Sequence, residues 1–255
     1  MGGTPAVVDT HCHLDLCEPP DAEVVDRARE AGLTRLATVG TDVASSERAL
    51  AAAAADEQVA AIVGRHPNYA TGFSDDDAVA IASLATRPGV VAIGETGFDY
   101  YRDGAPREDQ RRAFEAQVEI ARELGLPLAV HSRDAEEDTF ALLAERAEGM
   151  TVLLHCFSAP TRRDECVERG YLCSFAGNVT YPKNVELQEA ARRLPAELLL
   201  VETDAPFLSP QPLRGKPNEP ANVTRTAQLL ADLRGASYQE LDALVEANAA
   251  RAFGW

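Results

Sequence analysis

"VVDTHCHLD", Val7 to Asp15, is a short apolar run that stops at two histidines one residue apart. Read as a strand, it places His11 and His13 on one face and Cys12 on the other, because side chains alternate across a strand. Both imidazoles can then reach one ion. Alone, such a pair is more commonly two hydrogen-bonded core histidines than a metal site. Its meaning depends on what the rest of the chain builds around it.

The pattern recurs. Eight short runs rich in Val, Ile and Leu, at 6–11, 33–38, 59–63, 90–94, 127–131, 151–155, 171–175 and 198–202, are each followed by a segment of helical character. In the clearest helix, "PREDQRRAFEAQVEIARELG", Phe114, Val118, Ala121 and Leu124 form an apolar stripe, acidic residues open the helix and Gly125 closes it. Asp134 with Glu137 resembles a capping box, and Ala51 to Ala55 is a run of strong helix formers. The Pro-rich segment 205–222 reads as a long loop after the eighth strand, with helices expected near 221–233 and 238–252. Strand and helix alternating eight times predict an α/β chain whose parallel sheet closes as a (β/α)8 TIM barrel, a single domain over 1–255. A doubly wound open sheet is the rival. Its nucleotide-binding forms lose support because no Gly-x-Gly-x-x-Gly follows the first strand and no Gly-Lys-Ser/Thr loop occurs.

Composition agrees with a folded, soluble class: 45% of the 255 residues are apolar and 25% charged. No apolar run approaches the ~18 residues that span a bilayer, and "MGGTPAVVDTHCHLD" has no basic segment or signal-type apolar stretch. The expectation is a cytoplasmic, monomeric protein with no membrane partner. The five cysteines show no Cys-x-x-Cys and are expected to be reduced thiols. A formal net charge of −17 excludes a grip on nucleic acid through the overall field, so a polyanionic substrate would need a locally positive site.

The polar residues supply one. His11, His13, His66, His131 and His155 all fall at or just beyond the C-terminal ends of the expected strands, with Glu95 and Asp204 at the same level. That is the catalytic face of a barrel. Imidazole with carboxylate is the donor set of first-row divalent metals. Six ligands, His11, His13, Glu95, His131, His155 and Asp204, exceed one tetrahedral ion and imply two, with Glu95 as the shared carboxylate. Two divalent ions against two carboxylates leave about +2, the local inversion that the acidic chain requires. Around the rim, Arg65, Arg133, Arg162, Arg163, Lys183, Arg214 and Lys216 form a candidate phosphate-binding ring, with Arg133 and Arg214 the first choices.

In order along the chain, "DTHCHLD" (9–15), "GRHP" (64–67), "GETGFDYY" (94–101), Gln110, Phe114 and Gln117, "HSRDA" (131–135), "HCFSA" (155–159), "SFAGNVTYPK" (174–183), "ETDAPFL" (202–208) and "RGKPNEP" (214–220) resemble the TatD family of metal-dependent deoxyribonucleases, in the amidohydrolase-like superfamily. The resemblance implies a TIM barrel with a binuclear, sometimes trinuclear, divalent site (Mg, Mn or Zn). It implies phosphodiester hydrolysis, commonly as a 3′→5′ exonuclease on DNA, by water activated at that site. It gives His11, His13, Glu95 and Asp204 one metal, and Glu95, His131 and His155 the other. Glu202 would help a third ion or orient a ligand. The chain departs from the family's usual Leu at Arg65 and Gly at Ala159, both in loops near substrate.

Asp204 is expected to align the attacking water and accept its proton, with Glu95 as the other catalytic carboxylate. His66, Arg133, Arg214 and Lys216 are expected to hold the substrate's phosphate. Rival readings keep the metal site but change the substrate, an RNase or a D-aminoacyl-tRNA deacylase, or make the barrel a non-catalytic scaffold. An amidohydrolase acting on small rings is disfavoured, because such enzymes often bridge two metals with a modified lysine and none lies near Glu95.

Overall fold

The structure, a computed structural model, describes residues 7–255. Eight strands run in sequence order through one parallel sheet: β1 (Val7–Cys12), β2 (Leu33–Val39), β3 (Val59–Val63), β4 (Val90–Asp99), β5 (Leu128–Arg133), β6 (Val152–Leu154), β7 (Leu172–Phe175) and β8 (Leu199–Val201). Among the described residues nine α-helices accompany them, the last two after β8: α1 (Asp21–Glu30), α2 (Val43–Ala55), α3 (Asp75–Ala85), α4 (Arg107–Leu124), α5 (Glu136–Arg146), α6 (Arg163–Arg169), α7 (Val185–Arg193), α8 (Val223–Arg234) and α9 (Tyr238–Phe253). This is the (β/α)8 barrel predicted from the alternation. Seven strands begin within a residue of their expected starts; for the first, Ala6 lies outside the described residues.

The described chain packs as two compact units, 7–38 with 159–255, and 39–158. In the first, β7 pairs with β8 and β1 with β2, while β8 meets β1 through Thr10 Oγ1 donating to the Val201 carbonyl at 2.9 Å and Asp204 N donating to the His11 carbonyl at 2.9 Å. In the second, β3, β4, β5 and β6 pair in that order, all parallel. Their interiors are near-continuous Val, Ile, Leu and Ala, as both-sided burial of a parallel sheet requires.

β4 is longer than expected. It continues from Val90 through Glu95 to Asp99, so Glu95 stands within the strand and not after it. The continuation depends on Gly97, whose φ of +138° is open to glycine, and whose absent Cβ would collide with the His131 carbonyl oxygen of β5.

Helix α4 presents Phe114, Val118 and Ala121 to the core, whereas Leu124 is 39% exposed. Ten residues of ~100° each from Phe114 leave it roughly 80° off that face, at the edge of the apolar stripe. Gly125 closes the helix in the left-handed region, φ +65°. The capping box at Asp134 and Glu137 does not form: α5 starts at Glu136 behind Ala135, and Asp134 takes φ +53°, which turns the chain before the helix can begin. No disulfide joins the described cysteines, and no helix among the described residues is long and apolar enough to cross a membrane.

Candidate metal centre

In the unit spanning 39–158, three imidazoles turn toward one carboxylate oxygen. Glu95 Oε1 lies 2.6 Å from His131 Nδ1, 3.4 Å from His155 Nε2 and 3.5 Å from His66 Nε2. Each donor sits at a strand's C-terminal end: His131 in β5, His155 one residue past β6, and His66 three past β3. Glu95 is almost wholly buried, where an ionised carboxylate is costly unless cations or donors surround it.

Two buried glutamines hold these strand ends to α4. Gln117 Oε1 accepts from Arg65 N at 2.8 Å, and its Nε2 donates to Arg65 O, to Thr96 Oγ1 at 2.7 Å and to Ala113 O. Gln110 brackets Asp99 in the same way, accepting from its N–H at 2.9 Å and donating to its carbonyl at 3.1 Å. The ends that carry His66 and Glu95 are thus anchored to a helix and not left as free loops.

Asp99 is a site residue the sequence reading missed. Its carboxylate accepts from the backbone N–H groups of Tyr101 and Arg102 and from Asn68 Nδ2, and lies 3.3 Å from His131 Nε2, at an ion-pair distance but out of line for a straight hydrogen bond. Burial works to raise its pKa, but His131, the Arg102 amide and Asn68 together hold it well below the usual carboxylate range. For His131 burial works to lower the pKa, and contact with the Asp99 and Glu95 carboxylates overcomes this and raises it. A carboxylate on the second nitrogen of a ligating histidine fixes which nitrogen faces the ion. Here that leaves Nδ1 toward Glu95.

The other unit carries a second group. His11, His13 and Asp204 bring ligand atoms within 4.8 Å of one another, with His13 Nε2 3.6 Å from Asp204 Oδ1 and the two imidazole centroids 5.1 Å apart. Asp204 takes φ +55°, a left-handed conformation that a non-glycine residue keeps only when its surroundings enforce it. They do so through Thr203: its N–H and hydroxyl donate to Asp9 at 2.9 and 2.5 Å, and its carbonyl accepts from Asn218 Nδ2 at 3.0 Å. Asp9 was not singled out in the sequence, and burial pushes its carboxyl up to about 8. Asn218, in the loop after β8, is buried and braces this turn. Glu202 is fully buried immediately after β8.

Both groups offer imidazole nitrogen and carboxylate oxygen in the proportion that first-row divalent metals accept, so the donor chemistry fits the expected ions. The basic ring fares less evenly. Arg65 pairs with Asp77, Arg162 with Glu165 at 2.9 Å and Arg163 with Asp164 at 2.5 Å, so their charge is neutralised within the protein. Arg133 lies over the Tyr101 ring at 3.8 Å and Arg214 over Tyr181 at 4.4 Å. The Lys216 carbonyl accepts from Ser209 Oγ. His66, expected at the phosphate, stands with the possible metal donors.

The TatD related DNase family model matches residues 8–254. A Mycobacterium tuberculosis protein named as the uncharacterized metal-dependent hydrolase TatD is 40% identical, over 97% of this chain and 98% of its own. The 3′-5′ ssDNA/RNA exonuclease TatD of Salmonella typhimurium is 38% identical over 91% of this chain and 92% of its own. Among solved structures, the TatD homologue YJJV of Escherichia coli superimposes with a TM-score of 0.91 at 28% identity, over 98% of each chain. A family match across almost the whole chain, on a barrel whose strand ends carry the donor groups, is decisive: the chain belongs to the TatD-related DNase family of metal-dependent hydrolases.

Proposed function

We propose that this protein is a divalent-metal-dependent phosphodiesterase that degrades DNA from the 3′ end. The observation that carries the reading is the convergence of His131, His155 and His66 on Glu95 Oε1 at 2.6, 3.4 and 3.5 Å, in a member of this family. The parallel barrel directs every strand's C-terminal end to one face. On that ground we assign His11, His13 and Asp204 to one ion, His131 and His155 to a second, and Glu95 to both, with Glu202 behind them. Divalent ions in such a site lower the pKa of water and stabilise negative charge on the phosphoryl oxygens.

The chain's own residues do the rest. Asp204, held in a fixed orientation by the clamp on Thr203, is placed to take the proton released by the attacking water. Asp99 keeps His131 turned so that Nδ1 is offered to the ion. Arg133 and Arg214 meet the substrate's backbone. The substrate is nucleic acid, the working form a cytoplasmic monomer, and the ions Mg, Mn or Zn. The Salmonella relative's name covers both single-stranded DNA and RNA, so RNA belongs in the same test. A degradation time course on 5′- and 3′-end-labelled DNA and RNA, single- and double-stranded, with each metal in turn, decides it. Shortening from the 3′ end that stops on chelation supports the proposal, and undegraded DNA under every metal refutes it.

A further inference from the structure

His131 and His66 face the same oxygen, Glu95 Oε1, from opposite chemical settings. The far nitrogen of His131, Nε2, lies 3.3 Å from the Asp99 carboxylate, an acceptor, so the ring's proton belongs there and the lone pair of Nδ1 is left for an ion. The far nitrogen of His66, Nδ1, meets a donor instead: it accepts the backbone N–H of Asn68 at 3.0 Å. A neutral imidazole carries one N–H and one lone pair, and an N–H cannot accept another. The proton of His66 therefore sits on Nε2, the nitrogen that faces Glu95 Oε1 at 3.5 Å. Its one lone pair is already committed to the Asn68 amide, and none remains for a metal.

The local chain holds this arrangement. His66 N donates to the Thr41 carbonyl and the His66 carbonyl accepts from Tyr69 N, both at 2.9 Å. Pro67 opens the short turn Pro67–Tyr69, which presents the Asn68 N–H to the ring. Asn68 is fixed in its turn, its Nδ2 donating at 2.9 Å to Asp99 Oδ2, the same oxygen that lies against His131. Turning the His66 ring over would set a carbon against the Asn68 amide and take away its acceptor. One aspartate thus orients both rings, and orients them oppositely.

We propose that His66 stands outside the metal shell and is a catalytic hydrogen-bond donor, its Nε2–H binding a non-bridging oxygen of the phosphoryl group that is cleaved. This rests on the phosphodiesterase reading above. A neutral N–H suits the place, because it meets an oxyanion without setting a further cation beside divalent ions. A donor fixed in advance where negative charge grows stabilises the transition state more than the bound substrate.

Whether His66 is a ligand is read without substrate. In protein carrying heavy nitrogen at histidine and loaded with a spin-active cadmium isotope, a ligating imidazole shows scalar coupling to the metal by NMR. His11, His13, His131 and His155 should couple, whereas His66, assigned by its loss in His66→Asn, should be uncoupled with its proton on Nε2. His66→Asn keeps an oxygen in reach of the Asn68 amide. It should therefore hold as much zinc per chain as the parent by elemental analysis, while kcat on end-labelled single-stranded DNA falls about a hundredfold with KM little changed. His66→Gln, whose amide N–H reaches the Nε2 position, should recover about tenfold or more of that loss. Cadmium coupling at His66, a proton on its Nδ1, loss of zinc in His66→Asn or undiminished turnover in that variant overturns the proposal and leaves the functional reading standing. A parent that cleaves no phosphodiester under any metal refutes the functional reading, and with it the donor's target, while an uncoupled His66 with its proton on Nε2 still excludes that residue from the metal shell.

Discussion

Replacing Gln117 with Leu isolates the contribution of one side chain to holding two strand ends in place. Gln117 is fully buried, and its amide oxygen is the partner of the Arg65 N–H, which Leu would leave without an acceptor. Its two amide protons serve three acceptors, Arg65 O, Thr96 Oγ1 and Ala113 O. Ala113 O lies one helical turn back and keeps its helix bond, so the groups stranded by Leu are Arg65 N and, between them, Arg65 O and Thr96 Oγ1. A buried polar group deprived of its partner costs about 1–3 kcal/mol. Two to three such groups at about 2 kcal/mol each, the middle of that range, less about 1 kcal/mol for the added apolar burial, give a loss of roughly 3–5 kcal/mol. In a chain of 255 residues that is about 10 °C in Tm. Urea unfolding of the metal-free protein measures it directly. The same variant should bind metal more weakly, because Arg65 precedes His66 and Thr96 follows Glu95. A loss under about 1 kcal/mol, with unchanged metal affinity, would show that these strand ends are held by sheet pairing alone and that the amide is incidental.

Glu95→Ala should remove the oxygen on which three imidazoles converge, lowering metal affinity at least about a hundredfold and reducing bound metal from two ions to one per chain by elemental analysis; two ions retained would refute the assignment of Glu95 as the shared ligand. Because contacts with Asp99 and Glu95 raise the pKa of His131, the histidine stays protonated to a higher pH than usual, and protonated histidine cannot bind metal. Metal affinity measured against pH should therefore begin to fall on the neutral side of 6.5, and Asp99→Asn should move that fall to lower pH; an unmoved profile counts against the pairing. Gly97→Ala forces a Cβ against the His131 carbonyl oxygen at φ +138°, and should destabilise the protein by about 2 kcal/mol or more in thermal unfolding.

The sequence by itself determined the class of fold and the chemical types at the site. Both are local signals: apolar runs with strand length and branching, helical stripes between them, and histidines and carboxylates where each run ends. His11 and His13 could be placed on one face from their spacing alone, since alternation along a strand needs no partner. What depends on contacts between distant segments was not legible. Asp9 and Thr203 are 194 residues apart and Gln117 and Arg65 are 52 apart, and nothing local in either pair announces the other. Asp99 stood unremarked inside "GETGFDYY", although β4 extends to it and carries it to His131. The pairing of Arg65, Arg162 and Arg163 was not legible for the same reason in reverse: a charge is legible in sequence, but its partner, sometimes one residue away and sometimes twelve, is chosen only when the chain has folded. Donor identity is written residue by residue. The orientation of those donors and the charge left unbalanced around them are properties of packing, and only the tertiary structure decided them.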